Sequence, residues 1–68
     1  MGQGDIIERL YFVDKLSTND LSVILDLNPR SVSACIARLR KIKYVDVDDK
    51  YNYFLTRKGR DFAKRYYI

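Results

Sequence analysis

The sequence predicts an α+β domain, mostly α, with a three-helix core, a two-stranded β-hairpin and a C-terminal helix. Three observations carry this. Asn28-Pro29 opens a long amphipathic run that stops near Lys43. Two short alternating segments, Val45 to Val47 and Tyr53 to Leu55, flank the polar stretch from Asp48 to Asn52. Thr56 then opens a second, strongly basic helical run.

The elements can be justified in chain order. Residues 1–4 hold two glycines and no periodicity, so they read as a flexible lead into one domain spanning residues 1–68. Asp5 is a suitable N-cap, and Ile6 or Ile7 with Leu10 and Val13 recurs at helical spacing to about Asp14. Leu16 falls under the core, and Ser17-Thr18 form a short extended segment. Thr18 or Asn19 caps a second helix that runs to about Leu25, with Leu21, Ile24 and Leu25 inward. Asp26-Leu27 make a turn. Asn28 then supplies a side-chain acceptor at an N-cap, and Pro29 sits at the first helical position, where a missing N–H costs nothing.

The third helix, about 29–42, has two unlike faces. At about 100° per residue, Val32, Cys35, Ile36 and Leu39 point one way. Arg30, Ser33, Ala34, Ala37 and Lys41 point the other way, flanked by Ser31 and Arg38. Small residues bounded by cations let a helix sink into a major groove about 12 Å wide, with Arg and Ser as donors. In the hairpin, Val45 and Val47 alternate around Asp46, and Tyr53 and Leu55 around Phe54. Lys50, Tyr51 and Asn52 in the loop are placed to touch backbone or sugar. Asp48 and Asp49 repel phosphate, so they are expected to point away. Thr56 caps the last helix, about Arg57 to Tyr67, with Phe62, Ala63 and Tyr66 as its apolar stripe. Arg57 and Lys58 sit at the positive end of its dipole, which suits a phosphate.

Composition narrows the function. The apolar fraction of 47% supports a folded globule rather than disorder. Cys35 is the single cysteine and there is no histidine, so zinc sites, Ser-His-Asp triads and Cys-His dyads are excluded within one chain. No carboxylates pair on one face. An enzyme is not expected, and neither is a cofactor. No apolar stretch approaches the roughly 18 residues of a membrane span. The expected setting is cytoplasmic, beside the nucleoid, with no membrane partner.

The net charge of +4 is unevenly spread. Residues 1–27 hold Arg9 and Lys15 against Asp5, Glu8, Asp14, Asp20 and Asp26, a net −3. Residues 28–68 hold eleven Lys and Arg against Asp46, Asp48, Asp49 and Asp61, a net +7. A basic half coinciding with the amphipathic helix and hairpin points to a polyanion.

Residues 17–60 resemble the winged helix-turn-helix families of the MarR and PadR kind. Their closing pattern y-x-L-T-x-x-G reads here as Tyr53-Phe54-Leu55-Thr56-Arg57-Lys58-Gly59, and the recognition-helix part as Arg30-Ser31-Val32-Ser33, then Leu39, then Tyr44-Val45. The resemblance implies a small transcriptional regulator, such as a repressor, that binds double-stranded DNA, commonly as a homodimer. By position it puts Arg30, Ser31, Ser33, Ala34 and Arg38 in the major groove and assigns wing contacts to Lys50, Tyr51 and Asn52. Two residues depart from the pattern: Lys43 stands where the family usually has glycine, and Arg40 where it usually has glutamate. A left-handed lysine costs about 1 kcal/mol, so a differently built corner is expected. The extra helices of full-length relatives are missing, so no small-molecule effector is expected. For the dimer contact, Ile7, Tyr11, Tyr66, Tyr67 and Ile68 are the apolar candidates. The alternative function is a winged-helix module for protein–protein contact within a larger complex.

Overall fold

The computed structural model describes residues 2–68. Its elements are α1 (Gln3–Phe12), α2 (Thr18–Leu25), α3 (Pro29–Lys41), β1 (Val45–Val47), β2 (Tyr53–Leu55) and α4 (Arg57–Tyr66). The predicted class is what the chain forms: four helices and one antiparallel hairpin. The register pairs Val45 with Leu55, Asp46 with Phe54 and Val47 with Tyr53. Leu16, in the α1–α2 connection, adds a one-residue bridge to Tyr53, giving and receiving a backbone hydrogen bond at 3.1 and 2.8 Å.

One apolar cluster holds these elements together. Ile6, Ile7 and Leu10 of α1, Leu16, Leu21 of α2, Val32, Ile36 and Leu39 of α3, Val45, Leu55 and Ala63 are buried. α1 touches α2, α3, α4 and β2, so its apolar face is the hub of the core. Among the described residues no polar or charged side chain is buried, so the core carries no unpaired polar group. Truncating a hub residue such as Leu10 to Ala is worth roughly 2–5 kcal/mol.

Helix starts differ from expectation at two points. Asp5 is not the cap of α1. The helix begins three residues earlier, with Gly2 as cap and Asp5 in the first turn, its carboxylate accepting the Gly2 N–H at 3.2 Å. Gln3 and Gly4 are thus helical, and the expectation of a loose start at Met1 lies outside the described residues. The helix ends at Phe12 rather than near Asp14, and Val13, counted into the apolar stripe, is exposed. Ser17, not Thr18 or Asn19, caps α2 through a reciprocal box: its Oγ accepts the Asp20 N–H, and the Asp20 carboxylate accepts its own N–H. Leu21 is buried as expected, while Ile24, also expected inward, is exposed. Asn28 and Thr56 cap α3 and α4 as predicted, accepting from the Arg30 and Gly59 N–H groups.

The corner after α3 keeps the left-handed geometry that Lys43 was expected to avoid, with φ 70. The Tyr44 N–H reaches back to the Leu39 carbonyl at 2.9 Å and the Lys43 N–H to the Arg40 carbonyl at 3.0 Å. This is a Schellman end, and Tyr44 packs on the core beside it. The two bonds offset the strain of a lysine at that position. Ile7 also departs from expectation: it is 2% exposed and belongs to the monomer core, so it is not free for a dimer contact.

Candidate nucleic-acid interface

The outer face of α3 is built by its inner one. Val32, Ile36 and Leu39 fix the rotation of the helix against α1 and β1, with Cys35 half-buried beside them. Arg30, Ser31, Ser33, Ala34, Ala37, Arg38 and Lys41 then all face solvent. Arg30, Ala34, Ala37 and Lys41 form the outermost line, with cations at its ends and small residues between. Among the described residues only two ion pairs form, Lys15 with Asp48 and Arg60 with Asp14. The cations of α3 therefore have no carboxylate partner, and their charge is available to an external anion.

The wing is braced from behind. The Asp48 carboxylate accepts the Lys50 and Asn52 N–H groups through Oδ1, each at 2.9 Å, and its Oδ2 faces Lys15 Nζ at 3.4 Å. Its carboxyl is held below its ordinary value of 3.8, first by the Asn52 N–H, against some opposing desolvation, with help from the Lys50 N–H and Lys15. Asp48 is thus turned inward onto the loop and Lys15, while Asp49 is exposed. Lys50 and Tyr51 project from the loop. Asn52 is half-buried and its N–H is committed to Asp48.

The two basic residues at the start of α4 separate. Arg57 is exposed with no partner among the described hydrogen bonds and ion pairs. Lys58 turns back instead: its Nζ donates to the Ile42 carbonyl at 3.1 Å and lies 5.3 Å from the Tyr44 ring. Next to it, the Thr56 hydroxyl donates to the Lys43 carbonyl at 2.6 Å. A side chain at Gly59 would run into the Tyr44 carbonyl oxygen, so only glycine lets α4 lie this close to the α3 exit. The Leu-Thr-x-x-Gly close is therefore a clasp on the end of α3. Sequence reasoning missed the bracing role of Asp48 and Lys15. An Asp opening a five-residue loop was the signal for the first, but nothing local marked Lys15, because its partner lies across the fold.

At the other end of α4 an aromatic row is left partly uncovered. Phe62 stacks between Tyr44 and Tyr66, with centroids 4.6 and 4.7 Å away, and Tyr67 approaches it edge-on at 5.9 Å. Tyr66, placed in the apolar stripe by sequence, is 62% exposed, and Tyr67 and Ile68 are exposed with it. Among the described residues no helix is long and apolar enough to cross a membrane.

A helix-turn-helix followed by a wing and clasped by a fourth helix defines a winged helix-turn-helix fold. It is of the MarR-like kind, as comparison with solved structures shows. The MarR family protein Rv2887 of Mycobacterium tuberculosis superposes with a TM-score of 0.87 at 22% identity, over 96% of this chain and 49% of that one. The transcriptional regulator Tm0710 from Thermotoga maritima superposes with a TM-score of 0.85 at 27% identity, over 94% of this chain and 48% of that one. The chain thus spans about half the length of each. No family model and no curated protein matches the sequence.

Proposed function

We propose that this chain binds double-stranded DNA as a transcriptional regulator, with α3 in the major groove and the wing, residues 48–52, on the backbone or minor groove. One observation carries the reading: α3 offers a fully exposed line of small residues between cations that have no acidic partner. Of the contact residues, Arg30, Ser31, Ser33, Ala34 and Arg38 read bases or flanking phosphates, and Lys41, Lys50 and Arg57 hold phosphate. Lys58 leaves the phosphate set, because its ammonium already serves the α3 exit. The two similar structures, a MarR family protein and a transcriptional regulator, support the same reading.

The protein acts where the DNA is, and repression by occupying a promoter is the simplest consequence of binding. A homodimer follows from the exposed Tyr66, Tyr67 and Ile68, an apolar end that a second copy can cover. The test is anisotropy titration into labelled duplex DNA at two salt concentrations. Affinity should fall steeply with salt, because phosphate contacts release counterions. Arg38→Ala should weaken binding and lower the preference for a selected site over random duplex by about tenfold. A folded Arg38→Ala protein with unchanged affinity and preference would remove α3 as the reader. No binding of the intact chain at either salt would favour the protein-contact function instead.

A further inference from the structure

The hairpin cannot aim itself. β1 and β2 share three residue pairs, and a two-stranded ribbon of that size is marginal in water. Its loop is closed on Asp48. The carboxylate takes the Lys50 and Asn52 N–H groups, and the Asp48 N–H donates to the Asn52 carbonyl at 3.0 Å. The loop therefore moves as one body unless something outside the hairpin holds Asp48.

Two neighbouring residues of the α1–α2 connection do so. Leu16 pairs with Tyr53 at the loop end of β2. Lys15, 33 residues from Asp48 in sequence, sets its ammonium 3.4 Å from Asp48 Oδ2 and 5.6 Å from the Phe54 ring. It thus grips the loop and β2 together. The ion pair is partly exposed, 54% at Lys15 and 19% at Asp48, so it adds little to global stability. What it fixes is direction. A cation already shared by a carboxylate and a ring has little charge left for a phosphate, so any service it gives to DNA binding is indirect.

We infer that Lys15 is a positioning residue for the wing: through Asp48 it holds the loop at the angle at which Lys50 meets the duplex. This rests on the duplex-binding reading above. The direction of the wing is thereby referred to the end of α1, which also touches β2, and not to α3.

The test is a double-mutant cycle on duplex binding. It uses Lys15→Met, which keeps the apolar stem and removes the charge, with Lys15→Arg and Lys50→Ala. Lys15→Met should weaken binding about threefold on selected and random duplex alike, the scale of one partly exposed ion pair. Its slope of log affinity against log salt should equal that of wild type, whereas Lys50→Ala should reduce the slope by about 0.9. In the Lys50→Ala background Lys15→Met should cost little more, because the contact it aims is gone. Lys15→Arg should restore wild-type affinity. Amide exchange at Lys50 and Asn52 should quicken about threefold in Lys15→Met but not in Lys15→Arg, with melting temperatures within about 4 °C of wild type. A slope lowered by Lys15→Met would make Lys15 a phosphate contact and overturn the inference. A full second loss in the double variant would overturn it too, by placing the effect outside the wing. Unchanged affinity, unchanged exchange, or a melting temperature that falls well beyond that range would each do the same. In all these cases duplex binding by the wild type stands. A wild type that binds no duplex would overturn the proposed function and this inference with it.

Discussion

Two residues show how this chain tolerates local cost. Lys43 holds a left-handed conformation at the end of α3, where glycine is the easier choice, and its side chain is exposed. Lys43→Gly should therefore raise stability by about 1 kcal/mol, read as a higher urea midpoint at constant slope. A lower midpoint would mean that the lysine side chain supports the corner. Asp48 makes a second case, through its charge. Its folded-state value lies below its unfolded one, so its ionised form stabilises the fold above about pH 4, and the contribution is lost as pH falls through the folded value. Melting of wild type and Asp48→Asn should differ most near neutrality and converge in acid. A gap that persisted unchanged at about pH 2 would rule out the charge as the source.

At the scale of elements, capping separates what the sequence shows from what it hides. Asn28-Pro29 and Thr56 were legible because each cap precedes its helix directly, with its acceptor three or fewer residues from the N–H it serves. The start of α1 was misplaced because Asp5 is a good cap by type yet acts from inside the first turn, bonding backward to Gly2; that of α2 was misplaced because Thr18 and Asn19 are caps by type as much as Ser17, which the reciprocal bonds with Asp20 select. The α4 clasp shows a deeper limit. A basic pair at a helix N-terminus reads as a phosphate site, but Lys58 reaches the Ile42 carbonyl, a partner only tertiary structure supplies. The two residues can be told apart by salt dependence. Arg57→Gln should lower the log–log slope of duplex binding by close to one, and Lys58→Gln should leave it nearly unchanged while weakening affinity. Equal slopes for both variants would return Lys58 to the phosphate set.

The whole molecule was legible where pattern and composition agree. The helix order, the hairpin and the charge split between halves follow from periodicity and counting. Packing then decided which apolar residues are inside. Ile7, offered for a dimer contact as well as for the core, is buried, and Ile24, expected inward, is exposed. That leaves the Tyr66, Tyr67 and Ile68 end, rather than Ile7, to carry any two-fold contact. In a dimer on DNA the two copies of α3 should sit about 34 Å apart, one turn of the duplex. Sedimentation with and without duplex, together with a selected site of near-palindromic halves spaced by one turn, would establish this. A single half-site bound by one chain would exclude it.

The Leu16–Tyr53 bridge has a consequence for the order of assembly. The hairpin can close early, because β1 and β2 are neighbours in sequence and need only a short loop. Leu16 can join it only after α2 and α3 have folded back between them, so this strand pair is among the last contacts the chain makes. The wing therefore gains its final orientation only when the domain is complete. A partly folded chain, or one nicked between α1 and α2, can display a hairpin but not an aimed one.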